Sequence, residues 1–177
     1  MADTALRRTV DLPTAAWLES PAPATRFILR GAAAARAAAG QGFGLSLPET
    51  ACRATTDGNR AALWLGPDEH LLLAPDGEVD TIEAALARAL QGHACSLVDV
   101  SHRQVGFSIH GPRAEWLLQS QCPLPLNLRD FPAGMCTRTV FAKDEIVLSR
   151  PAEQVFRHDA WRPVATSTAT ALPTSSS

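Results

Sequence analysis

The chain has 177 residues, 46% of them hydrophobic, and a formal net charge of -2 from 16 basic and 18 acidic residues. At this length, folding removes roughly 70% of the unfolded chain's surface from water, so a self-standing core is possible. The near-neutral charge and the absence of any Lys/Arg block argue against nucleic-acid binding, and no apolar stretch approaches the roughly 20 residues that span a bilayer.

Residues 1–25 hold Pro13, Pro21 and Pro23 with little periodicity, and read as an extended N-terminal arm. Residues 26–30 form a strand. Gly31 leads into an alanine-rich helix over 32–39, stopped by Gly40. Residues 43–47 and 50–56 look extended, and Asp57-Gly58-Asn59 is a hairpin turn, because Gly and Asn tolerate positive φ. Strands over 62–65 and 70–74 follow, separated by Gly66-Pro67-Asp68. The clearest helix covers 79–91, with Val79, Ile82, Leu86, Ala89 and Leu90 at helical spacing. Acidic residues crowd its start and Arg88 lies near its end, as the helix dipole favours.

Residues 96–100 and 104–110 are strands; in the second, Val105, Phe107 and Ile109 alternate with polar neighbours. Gly111-Pro112 starts a helix, with the proline at its first position. Cys122-Pro123-Leu124-Pro125 breaks it, and a loop runs to Gly134. A hairpin around Lys143-Asp144 joins 135–141 to 145–148, and 154–161 is the last strand. The Ser/Thr-rich residues 163–177 read as a flexible tail.

One pattern occurs twice. Phe27-Ile28-Leu29-Arg30-Gly31 resembles Phe107-Ser108-Ile109-His110-Gly111, 80 positions on. Cys52-Arg53-Ala54-Thr55 resembles Cys136-Thr137-Arg138-Thr139 at an offset of 84, and Leu63-Trp64-Leu65 resembles Ile146-Val147-Leu148 at 83. The near-constant offset implies an α+β domain over 26–162 built from two halves, about 26–100 and 104–162. The first half follows the ferredoxin-like order β-α-β-β-α-β.

Candidate chemistry is sparse. Asp99-Val100-Ser101-His102 holds the residue types of a hydrolase triad, yet neighbours on a strand face opposite ways, so a turn closed by a side-chain hydrogen bond is expected. Gly40-Gln41-Gly42-Phe43-Gly44 lacks the strand before it and the third glycine of a dinucleotide fingerprint. His70, His93, His102, His110 and His158 make no i, i+4 pair; Cys52, Cys95, Cys122 and Cys136 make no C-x-x-C. The thiols are expected to be free and buried in a reducing compartment, and Met1 to Arg8 lack a signal peptide's apolar core; both point to the cytoplasm. The pair Asp68-Glu69 could serve acid–base work but reads as a solvated turn. Trp64 reads as core; Trp161 reads equally as core or as an interface anchor. No residue is assigned as catalytic, cofactor-binding or metal-binding.

Three stretches carry a family resemblance: 62–73 (ALWLGPDEHLLL), 98–106 (VDVSHRQVG), and Cys122-Pro123-Leu124 with 128–139 (LRDFPAGMCTRT). Together they resemble the gamma subunits of heterotetrameric sarcosine oxidases. That resemblance implies a fold like the folate-binding domain of aminomethyltransferases and a non-catalytic, assembly-supporting role beside alpha, beta and delta subunits. It implies a complex that demethylates sarcosine to glycine, releases H2O2 and forms 5,10-methylenetetrahydrofolate. FAD, FMN and NAD would sit on the larger subunits and none on this chain. The alternatives are a stand-alone folate-binding module of the same superfamily and a hydrolase using His102. The absence of tyrosine and of a Lys-Gly-Cys-Tyr-type motif counts against a free-standing tRNA-modification factor.

Overall fold

Phe27 and Leu29 leave their strand on one side; Arg26, Ile28 and Arg30 leave it on the other. That period of two requires two different environments, and the computed structural model supplies them. It describes residues 10–12, 16–19 and 24–161. The flexible tail expected over 163–177 lies outside the described residues.

The elements in chain order are β1 (Val10–Leu12), β2 (Ala16–Glu19), β3 (Ala24–Gly31), α1 (Ala33–Phe43), β4 (Ala54–Asp57), β5 (Arg60–Gly66) and β6 (Glu69–Pro75), then α2 (Val79–Ala89), β7 (Cys95–Asp99), β8 (Gln104–His110), α3 (Ala114–Gln119), β9 (Cys136–Phe141), β10 (Asp144–Ala152) and β11 (Val155–Trp161). They form two antiparallel sheets, β4-β5-β6-β3-β7 and β1-β2-β8-β11-β10-β9. Helices α1 and α2 cover the outer face of the first sheet, where Phe27, Leu29, Leu72 and Ala74 meet Ala35, Phe43, Ile82 and Leu86. Helix α3 and the loop after it cover the outer face of the second, around Ile109, Leu117, Phe131 and Phe156. The facing sides of the sheets share a third apolar cluster, including Leu63, Leu71, Leu73, Cys136 and Val147. Strand β6 is buried on both sides, which explains its unbroken Leu71-Leu72-Leu73 run.

The two sheets repeat one topology. In the first, β5-β6-β3-β7 is the ferredoxin-like order, with β4 added at the edge. In the second, β10-β11-β8-β2 is the same order, with β9 in the place of β4. The strand that β7 provides in the first half is provided in the second by β2, from the N-terminal segment. Trp17 pairs with His110, and Glu19 with Ser108. Part of the expected arm is therefore sheet, because an uncovered β8 edge would leave a row of unpaired backbone groups. The repeated cysteines meet where the halves join. Cys136 N donates to Cys52 O at 3.0 Å and Ala54 N to Gly134 O at 2.8 Å, flanking the Arg53–Met135 pair.

Several boundaries differ from expectation. Helix α1 runs through Gly40 and ends at Gly44, whose φ of 75° makes the left-handed cap. Gly40 and Gly42 serve close packing instead: a Cβ on Gly42 would stand 2.8 Å from Ala89 Cβ and 3.0 Å from Ala85 O of α2. Residues 45–49 have no regular structure. Pro112 lies in the turn before α3, and the β9–β10 turn is Ala142-Lys143, with Ala142 at φ 55°. All four cysteines are unpaired, but only Cys122 and Cys136 are buried; Cys95 is exposed.

His158 is buried between the rings of Phe107 (centroids 5.1 Å apart) and Phe141 (6.1 Å, nearly parallel). Burial pushes its pKa down from 6.5 to about 4. The unfolded chain therefore binds this proton first. Its contribution to stability is complete above pH 6.5 and is lost progressively as pH falls toward 4, by about 3 kcal/mol. Denaturant unfolding of His158→Leu across that window should show a flatter pH dependence than the parent. A second expectation concerns the helix contact: Gly42→Val should lower stability by about 2 kcal/mol through overpacking, despite removing a flexible glycine.

Candidate functional site

The inward-facing charged residues of the two sheets meet in a polar seam. Glu69, at the start of β6, is buried, and its carboxylate crosses to the other sheet. Arg138 of β9 donates to both of its oxygens, one at 3.1 Å, and Arg30 of β3 donates to Oε2 at 2.7 Å. The Arg138 hydrogen bonds outweigh desolvation and hold Glu69 below the usual carboxylate range. Deeper in the seam, Asp159 of β11 is fully buried. Arg26 Nε of β3 donates to Oδ1 at 3.0 Å, and Arg157 donates to Oδ2 at 2.9 Å and Oδ1 at 3.2 Å. Burial pushes Asp159 up, but Arg157 and then Arg26 prevail and keep it ionised. Gly106 of β8 makes room for this group, since a Cβ there would lie 2.7 Å from Asp159 Oδ1 and 2.9 Å from Arg26 Nη2.

A cavity of about 290 Å³ opens at one flank of the seam, lined by Arg30, Glu69, Gln104 and Arg138 with Val98 and Trp161. Chemically, the seam is a pair of clamps. Both carboxylates are ionised and have their acceptor sites taken by guanidinium groups, which suits holding sheets in register more than moving protons.

The residues singled out from sequence fall in separate places. Ser101 N and Oγ both donate to Asp99 Oδ1, at 2.8 and 2.5 Å, and Arg26 N donates to Ser101 Oγ at 2.8 Å. This is the expected turn, tying the β7–β8 connection to β3; His102 beside it is exposed. Gly40-Gln41-Gly42-Phe43-Gly44 is the end of α1. Asp68 is exposed as expected, whereas Glu69 is buried in the seam, because its partners arrive from strands far along the chain. His70 is buried, its Nε2 sharing a hydrogen bond with Pro48 O at 2.7 Å, and burial lowers its pKa. The Cys136 thiol is pushed up to about 12, first by burial. Trp64 is half-buried, while Trp116 and Trp161 are 56% and 46% exposed. The one sign of the Asp159 clamp in the sequence is charge at alternate positions, Arg157 and Asp159, of β11.

Residues 30–170 match the family described as sarcosine oxidase, gamma subunit family. The chain belongs to that family. It is 35% identical over 124 residues to sarcosine oxidase subunit gamma of Arthrobacter sp, covering 70% of this chain and 59% of the relative. It is 33% identical over 129 residues to that of Corynebacterium sp. (strain U-96), covering 72% and 60%. The chain thus spans about three-fifths of the length of these gamma-family relatives. Among solved structures, a chain of the heterotetrameric sarcosine oxidase from Corynebacterium sp. U-96 in complex with pyrrole 2-carboxylate superposes with a TM-score of 0.85 at 28% identity, over 92% of this chain and 84% of that one. The glycine cleavage system aminomethyltransferase T from Bartonella henselae superposes with a TM-score of 0.68 at 15% identity, over 89% of this chain and 45% of that one, so this chain shares the fold of part of that protein.

Removing one partner from each clamp distinguishes the two clamps by burial. Asp159→Asn leaves Arg26 without its full counter-charge and should cost about 3 kcal/mol or more in denaturant unfolding. Glu69→Gln should cost about 1 kcal/mol, because Arg30 and Arg138 can turn toward water.

Proposed function

We propose that this chain is the gamma subunit of a heterotetrameric sarcosine oxidase and acts by supporting assembly, without catalytic residues of its own. The observation that carries this reading is the superposition on a chain of such an enzyme over 92% of the present one. The partners are alpha, beta and delta subunits. The complex oxidatively demethylates sarcosine to glycine, reduces oxygen to H2O2 and forms 5,10-methylenetetrahydrofolate. We assign FAD, FMN and NAD to the larger subunits. A cytoplasmic site of action is in keeping with four unpaired thiols.

The seam supports a structural role, since its carboxylates are committed to arginines. Trp116 and Trp161 support a partnered one. Both are exposed on ordered elements, and Trp116 has Arg113 against its ring at 5.6 Å. Tryptophan and arginine dominate binding energy at many interfaces.

Co-expression with the three other subunits tests the proposal. The expected product is a complex containing one copy of each, measured by mass in solution, with sarcosine-dependent oxygen uptake. Trp116→Ala or Trp161→Ala should weaken assembly by about 30-fold, for a loss of about 2 kcal/mol at an anchor, while turnover per assembled complex stays unchanged. Sarcosine oxidation by this chain alone, or full assembly and activity without it, would defeat the assignment. Tight tetrahydrofolate binding to the isolated chain would favour the stand-alone module instead.

A further inference from the structure

The second sheet has six strands and the first has five. The counterpart of β7 in the second sheet is β2, which carries a further antiparallel neighbour, β1. Beside β7 that position holds no strand among the described residues. Val100 N donates to Arg26 O at 2.9 Å, which makes Phe27 and Asp99 a non-hydrogen-bonded pair. Alternation along β7 then turns the backbone groups of Cys95, Leu97 and Asp99 away from β3, toward the open side. The strand holds neither proline nor lysine, the usual guards of an open edge, and its Val98 is 43% exposed.

The chain itself leads to this edge. Trp161, the last residue of β11, pairs with Gln104, the first residue after the turn that leaves β7. Val98 and Trp161 line the same cavity. The sequence after Trp161 therefore starts at the Asp99 end of β7, and following the edge from there runs antiparallel to it. An extended residue covers about 3.3 Å and stacked sheets lie about 10 Å apart, so 162–164 suffice to cross between them. Residues 165–172 remain for the five residues of β7, with some to spare for the lateral step. The stretch 164–172 (VATSTATAL) lies between Pro163 and Pro173, holds no charge and no glycine, and places Val164, Thr166, Thr168 and Thr170 at alternate positions. Valine and threonine favour strands. The family match runs on past Trp161 to residue 170, so most of this stretch belongs to the sequence that the family has in common.

We propose that residues 165–172 add to the free edge of β7 as an antiparallel sixth strand of the first sheet, in the place that β1 holds in the second. The added strand satisfies the outward backbone groups of β7 and covers Val98. The inference concerns the chain's own sheet and stands apart from the assembly role.

Amide hydrogen exchange of the full-length chain, alone and in the co-expressed complex, tests it, with the amides between β3 and β6 as the folded reference. Alternate amides of 165–172, together with those of Leu97 and Asp99, should exchange about 100-fold more slowly than an unstructured chain. Of Thr168→Pro and Ala169→Pro, one removes a donor facing β7 whichever register is adopted. That variant should return both sets to near the unstructured rate together, while the β3–β6 amides keep the parent's protection. Ser175→Pro, beyond the segment, should change neither set. Three results would overturn the proposal. The first is exchange of 165–172 at the unstructured rate while β3 and β6 are protected. The second is protection of β7 without that of 165–172, which would give the edge to another subunit's strand or, with a doubled mass in solution, to a second copy. The third is protection of both sets unchanged in both proline variants.

Discussion

Two carboxylates held between arginines of facing sheets set the geometry of this molecule. Glu69 from the first sheet is gripped by Arg138 of the second, and Asp159 from the second by Arg26 of the first. Each clamp therefore crosses the sheet interface in the opposite direction. Such pairs add little net stability, because desolvation offsets most of the Coulomb attraction. The apolar cluster around Leu63, Leu71, Leu73 and Val147 supplies the adhesion, on the order of 10 kcal/mol at about 2 kcal/mol per buried side chain. The clamps select one register. A sliding sheet would still bury leucines, but would leave Arg26 and Asp159 without each other.

The duplicated topology explains why the clamps occur as a pair. Two halves of like strand order face each other, and the repeated Cys52 and Cys136 segments meet at the junction. The correspondence is incomplete in a useful way. The second half takes its last strand, β2, from the chain's beginning, so the N-terminal segment and the C-terminal half belong to one sheet. Gly106 shows how tightly this is built, since its missing side chain is the space occupied by the Asp159 clamp.

This organisation commits the polar interior to holding the two sheets together and leaves large aromatic side chains on the outer surface. Ser101, whose residue type suggested chemistry, is spent on a turn that fixes β3 to the β7–β8 connection. Trp116 and Trp161 remain exposed.

The sequence by itself determined most elements. Period-two alternation in 104–110 and helical spacing in 79–91 are local properties, set by which face of an element meets water. The repeat was legible for the same reason, because matching strands carry matching patterns at a constant offset. The resemblance in 62–73, 98–106 and 122–139 pointed to the family now matched over 30–170. Tertiary structure alone decided what depends on distant partners. Glu69 reads as a solvated turn residue until Arg138 arrives from 69 positions away. Gly40 reads as a helix stop until the chain at Leu45 and Leu47 packs against it. Asp159 and Arg26 are 133 positions apart, and nothing local to either strand specifies the other. Strand pattern says that a side chain faces inward; only the packing of one sheet on the other says which charge it meets there.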